Sequence, residues 1–147
     1  MEDEIKILTP NSLILNPKSK MLKTILYIAI GGAIGSVLRY LTTVFVSKFC
    51  PETSGFSFPL ATFIANVIGC FFIGLFIGIL AKNNLNDSQL KWFLVTGFCG
   101  GYTTFSTFGM ENLTLFQSNN SQLAFGYMAL SILLGLFAVW FGLLLSK

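Results

Sequence analysis

The chain's 147 residues are 54% hydrophobic and only 10% charged, and phenylalanine alone occurs 16 times. Soluble domains of this size carry roughly a quarter charged residues and break their apolar runs before span length, which excludes a water-soluble globular protein and leaves one compact membrane domain. The formal net charge of +3 comes from basic residues in the N-terminal tail and in short loops beside apolar runs, so it reads as a topology signal and no nucleic-acid partner is expected.

Residues 1–20, MEDEIKILTPNSLILNPKSK, are polar, hold two prolines and lack the apolar run of a signal peptide. Two readings stand: a disordered tail, or a stretch upstream of a true start at Met21, where MLKTILYIAIGG opens a span at once. Residues 21–147 form the membrane domain in either case. Four segments there are long enough to cross a bilayer: Ile25 to Val46, Phe58 to Ala81, Leu90 to Phe108 or slightly beyond, and Leu123 to Leu145. The fold expected is an all-α, multi-pass integral protein of the cell membrane. Short polar loops at residues 50–55, 82–87 and 117–121 favour antiparallel neighbours, and an even count puts both termini on one side.

That side carries Lys6, Lys18, Lys20, Lys23, Lys82, Lys91 and Lys147 against Lys48 opposite, which favours an N-terminus inside. A start at Met21 leaves Lys23, Lys82, Lys91 and Lys147 against Lys48 and, depending on its depth, Arg39, so that both orientations stay open. Trp92 and Trp140, with Lys91 and Lys147 near them, suit interface anchors.

Small residues recur at helix-packing spacing: Gly31 with Gly35, Gly74 with Gly78, Gly97 with Gly101. The first two pairs read as close helix contacts. In the second segment Thr62, Asn66 and Gly69 share a face, and Asn66 there is either glue between helices or the lining of a path. Tyr127 and Ser131 repeat the pattern in the fourth segment, with Gly135 continuing the row. Arg39 and Glu111 are the remaining charges close to the spans; they snorkel to the interface, pair, or leave Arg39 as a positive vestibule.

The third segment departs most from a plain span. GFCGGYTTFSTF, Gly97 to Phe108, places a double glycine beside Thr103, Thr104, Ser106 and Thr107, so helix propensity falls where the side chains turn polar. Freed backbone groups cost several kcal/mol each in hydrocarbon, and such a break survives when it is buried in protein, lines a watery path or holds an ion. A third helix broken in mid-membrane is therefore expected, and its glycine pair reads as part of a site. If the helix resumes after the break, Phe105 and Phe108 lie on one side. Cys50, Cys70 and Cys99 have no CxxC spacing and histidine is absent, so zinc, haem and disulfide frameworks lose support. The same absence argues against an enzyme, since Glu111 is the only acidic residue close to a span end.

These residues together resemble a known family. GGAIGSVLRY (Gly31 to Tyr40), TFIANVIG (Thr62 to Gly69) and GFCGGYTTFSTF are similar to the three signatures of the Fluc (CrcB-type) fluoride channels, in the family's order. The likeness runs from about Met21 to the C-terminus. It implies passive export of cytoplasmic fluoride through two narrow pores in an antiparallel, dual-topology homodimer, with a structural sodium ion at the dimer interface. A fixed orientation would instead favour a paired, oppositely inserted homologue. Carried onto this chain, the resemblance makes Asn66 the pore-lining amide donor and Phe105 and Phe108 the rings bordering the ion, with Ser106 and Thr107 between them. It makes Tyr127 and Ser131 a hydroxyl track, puts Arg39 near the vestibule, and offers the backbone carbonyls of Gly100 and Thr103 to sodium. Ala61 stands where a glycine is common, and Tyr102 where an aliphatic residue is.

Fluoride is small and tightly hydrated, so a selective path must replace lost water with many donors, a task suited to Ser, Thr, Tyr and Asn. Two other classes share the size. A small multidrug exporter needs a membrane-embedded carboxylate, and none occurs in the first two segments; a non-transporting assembly protein would use the polar groups as glue alone.

Overall fold

The structure is a computed structural model that describes residues 17–50, 58–86 and 88–147. These residues are helical apart from short connections, and no strand occurs among them. Helix α1 (Pro17–Phe49) begins on a proline, whose missing N–H is harmless in a first turn. Residues 17–20, expected in the tail, are thus helical, while the expected disorder of residues 1–16 lies outside the described residues. At 33 residues α1 is about 50 Å long, so its two lysine-bearing ends reach past a hydrocarbon core about 30 Å thick.

Helix α2 (Leu60–Lys82) starts after Pro59, and α6 (Ser121–Leu145) closes the bundle. With α1 they make three helices long and apolar enough to cross a membrane. The stretch expected as a further span is assembled from shorter pieces. A single α-helical turn, α3 (Gln89–Lys91), passes into a π-helix (Trp92–Cys99) and returns to α geometry in α4 (Gly100–Tyr102). Thr103 and Thr104 are extended, with φ/ψ of −85°/159° and −150°/121°, and α5 (Phe105–Gln117) follows. The helical course runs well past Phe108 and ends where Asn119 turns the chain at φ 60°, as Asn84 does at φ 53° in the preceding loop.

Contacts give each element its direction. Gly31 lies against Gly97 and Gly35 against Gly101, so α1 runs parallel to the π-helix and α4. Gly74 lies against Val139 and Gly78 against Ser146, so α2 and α6 are parallel as well. The pairs Asn66 with Thr104 and Phe72 with Phe98 set α2 antiparallel to the interrupted stretch.

Both parallel pairs meet backbone to backbone. A methyl group on Gly35 would strike the Phe98 carbonyl and come within 2.8 Å of the Tyr102 nitrogen; one on Gly97 would come within 2.9 Å of the Ile28 carbonyl and 3.0 Å of the Gly31 Cα. On the other side, a methyl on Gly142 would strike the Phe71 carbonyl. Glycine at 97 and 101 is therefore required by close packing on α1, as at Gly31 and Gly35. Gly35→Ala is expected to destabilise the protein by about 1–3 kcal/mol, while Gly126→Ala, where the added methyl meets nothing within 4 Å, changes stability by less than about 1 kcal/mol. Thermal unfolding in detergent compares the two.

Candidate functional site

The interruption is built by exchanging backbone donors. In an unbroken helix the Thr104 amide would reach the Gly100 carbonyl and the Thr107 amide the Thr103 carbonyl. Here the Thr104 amide donates to Asn66 Oδ1 at 2.8 Å, and the Thr107 amide donates to Thr104 Oγ1 at 3.3 Å, capping α5. Asn66 Nδ2 returns a bond to the Thr104 carbonyl at 3.1 Å, so one side chain pairs with both backbone groups of Thr104 as a neighbouring strand would. Thr103 stays tied to the last turn, its amide and its hydroxyl both donating to the Cys99 carbonyl at 2.9 Å. The carbonyls of Gly100 and Thr103 lose the amides that a continuous helix would bring them.

Just beyond the interruption, Phe105 is 83% exposed on the single chain, and Ser106 and Thr107 are exposed beside it. Thr104 Oγ1 donates to Thr107 Oγ1 at 3.1 Å and lies 3.2 Å from Ser106 Oγ, so these hydroxyls form one cluster. Phe105 and Phe108 are on one side, as the spacing requires, with ring centroids 5.8 Å apart, and Phe108 leans on the Tyr127 ring at 5.0 Å.

One turn along α5, Glu111 gathers the α2 and α6 polar rows. Thr62 Oγ1 donates to Glu111 Oε1 at 2.6 Å and Tyr127 OH donates to Glu111 Oε2 at 2.8 Å, with Tyr127 fully buried. These are charge-assisted bonds, the stronger kind. A cavity of about 780 Å³ reaches this carboxylate, its polar lining supplied by Thr43, Ser47, Thr62, Thr107, Glu111 and Thr114. Sequence reasoning left Glu111 snorkelling to the interface or paired with Arg39, and did not place it between Thr62 and Tyr127. The signal was present in its spacing, since it follows Thr104 by seven residues and so returns to the same face of α5.

The remaining expected site residues are dispersed around this centre. Ser131, one turn from Tyr127, has a buried hydroxyl with no hydrogen-bond partner. Arg39 is half-buried on α1, one turn beyond Gly35, and its guanidinium makes no ion pair among the described residues, so it does not join Glu111. Asn112, which sequence reasoning did not single out, is buried with its Oδ1 unpartnered and its Nδ2 donating to the Phe108 carbonyl at 2.8 Å. Tyr102 is buried and stacked on Phe98 with ring planes 1° apart. Its hydroxyl sits 3.0 Å from Thr42 Oγ1, and because Thr42 donates to the Leu38 carbonyl, Tyr102 is the donor.

Residues 26–143 match the family model described as CrcB-like protein, Camphor Resistance (CrcB). The chain belongs to the CrcB family. It is 55% identical over 126 residues to a protein of Flavobacterium psychrophilum named fluoride-specific ion channel FluC, a match covering 86% of this chain and 98% of that relative. Relatives of the same name from Azobacteroides pseudotrichonymphae and Campylobacter fetus are 44% and 49% identical, covering 86% and 84% of this chain and 98% and 94% of their own lengths. Family membership with these helices makes this a multi-pass protein of the cell membrane.

The hydrogen bonds around Glu111 have a measurable consequence. Tyr127→Phe removes a bond to a charged acceptor and is expected to lower stability by about 1.5–3 kcal/mol. In a Glu111→Gln background the same substitution is expected to have a clearly smaller effect, a coupling that a double-mutant cycle of thermal unfolding measures.

Proposed function

We propose that this CrcB-family chain is a fluoride-selective channel that lets cytoplasmic fluoride drain passively across the membrane. The name carried by its similar relatives supports the ion, and the Thr103–Thr104 interruption with its flanking groups is the observation that carries the reading. In this reading the chain crosses four times, the parallel relation of α1 to α4 and of α2 to α6 requiring a return between each pair. The interrupted stretch is then the third crossing, with Thr103 and Thr104 in mid-membrane.

Exposure of the polar residues beside the interruption argues for a second subunit. Ser106, Thr107 and Gly100 are exposed on a single chain, where lipid would leave polar groups unsatisfied. An antiparallel copy, or an oppositely inserted homologue, covers this face and completes two pores. Along each pore Asn66 keeps a second N–H beyond the one spent on Thr104, the Ser131 hydroxyl is unspent, and the edges of Phe105 and Phe108 present their positive rims. Ser106, Thr107 and Tyr127 line the same route, and Arg39 raises the local concentration of anions at its mouth. Fluoride exchanges its water for these donors while larger anions are excluded by width.

The carbonyls of Gly100 and Thr103 fit a sodium ion, because each has lost its helix donor and a methyl on Gly100 would meet nothing nearer than the Val95 carbonyl at 3.9 Å. Pairing two chains would double this oxygen set. Sodium held there would supply a fixed positive charge; the protein's part is to present the oxygens of Gly100 and Thr103, which Asn66 and Thr104 do by redirecting the amides.

A proton-coupled exporter remains the competing class, and Glu111 is the carboxylate it would use. Efflux from liposomes separates them: the channel releases fluoride with no proton gradient and does not release chloride, whereas drug-coupled proton movement or silence sinks the proposal. Phe108→Ile is expected to abolish fluoride efflux while the dimer still assembles, and unchanged flux removes that ring from the path. Purified dimers are expected to retain sodium through dialysis against sodium-free buffer, read by atomic emission; fully active protein without it cancels the role of Gly100 and Thr103.

A further inference from the structure

The lysines gather at one end of the bundle. Thr24 donates to Gln89 Oε1 at 3.0 Å, which sets the first turns of α1 beside α3, and Lys82 donates to an oxygen of Lys147 at 2.7 Å, which joins the last turns of α2 and α6. The short connection from Lys82 to Gln89 puts both places at the same end. Lys18, Lys20, Lys23, Lys82, Lys91 and Lys147 are therefore neighbours at one rim, and all are exposed. The other rim holds Lys48, and residues 49–60 and 117–121 add no lysine or arginine to it. Arg39 lies about 15 Å back from the end of α1 at Phe49, between the two rims. We infer that the chain inserts in one orientation only, the six-lysine rim in the cytoplasm, so that its antiparallel mate in the cell is a different chain with its lysines at the opposite end. The orientation needs only a bundle that spans a bilayer; the identity of the mate rests on the antiparallel pairing proposed above.

Orientation follows the number of lysines and arginines in short segments close to the span ends, and carboxylates weigh little in it. With Lys82 and Lys147 set aside because they bond to one another, Lys18, Lys20, Lys23 and Lys91 still stand against Lys48. Helix α1 makes the first three count. It is continuous from Pro17, so Lys18 and Lys20 lie within about two turns of Lys23 on the same rod and enter the membrane step with the first crossing. Inverting the chain would carry this whole rim through hydrocarbon in place of Lys48 alone, and an identical partner would have to be inserted that way. A detergent micelle has no sides, so purified chains can still pair with one another there, and the efflux and dialysis outcomes above do not depend on orientation in the cell.

Cys50 reads the orientation without an added probe, being exposed at the Lys48 rim while Cys99 is buried and Cys70 half-buried within the bundle. Intact cells expressing the full chain are treated with a membrane-impermeant maleimide, the remainder is labelled after permeabilisation, and Cys50→Ser gives the background. At least about nine-tenths of the chains are expected to be labelled in intact cells, falling toward about half when Lys18→Gln, Lys20→Gln, Lys23→Gln and Lys91→Gln are combined. Labelling near half in the unaltered chain, labelling only after permeabilisation, or an unchanged fraction in the combined variant overturns the inference. Two differently tagged copies expressed together and cross-linked in the membrane before detergent is added are expected to yield no mixed pair; a mixed pair overturns the different mate. None of these readouts involves fluoride, so their failure and that of the channel reading stay distinct.

Discussion

The arrangement depends on two hydrogen bonds from a single amide. Inside an apolar medium a backbone cannot leave its helix unless its N–H and C=O groups find other partners, and Asn66 supplies both to Thr104. Everything near the site follows from that exchange. With the Thr104 amide turned toward α2, the Gly100 carbonyl is left open; with Thr104 Oγ1 capping α5, the helix restarts in a new direction and carries Phe105, Ser106 and Thr107 outward. An aspartate or a leucine at 66 would keep the volume and lose the reciprocity, because neither offers a donor and an acceptor together at neutral pH.

A second constraint holds the interruption in place. Two residues of extended chain have little stiffness of their own, so the flanking helices must be positioned independently. The glycine contacts of α1 with the π-helix and α4 do this on one side, and α2 with α6 on the other, each bringing main chains so close that no Cβ fits. Tyr102 adds a local tie, its hydroxyl reaching Thr42 at the last helical residue before the break. An aliphatic residue there would fill the space and give up that bond.

Much of this was legible in the sequence. The shared face of Thr62, Asn66 and Gly69 is the face α2 turns to Glu111, Thr104 and Thr103, because helix period alone decides it. The loss of helix after Tyr102 followed from the glycines and the threonines. The sequence did not reveal the π winding of Trp92–Cys99, since apolar residues satisfy either helix, nor that Gly97 and Gly101 serve packing, since spacing says that a face is small without saying what lies against it. Glu111 escaped for a related reason. A carboxylate near a span end reads as interfacial until two hydroxyls from other helices are seen to converge on it.

That convergence bears on how an anion would move. Each hydroxyl has one hydrogen, and those of Thr62 and Tyr127 are spent on the Glu111 carboxylate. While Glu111 is charged, neither hydroxyl is a donor for fluoride, and the carboxylate itself repels the ion. Those that remain include the second N–H of Asn66, the hydroxyl of Ser131 and the rims of Phe105 and Phe108. In the proposed channel the favourable stretch for a dehydrated anion would therefore lie between Asn66 and Ser131. Passage beyond it toward the Glu111 cavity requires the Tyr127 hydrogen to swing from the carboxylate to the ion, or water to follow the ion inward. A path so divided would bind fluoride firmly over a short length and loosely beyond it, which is the condition under which an ion both enters and leaves.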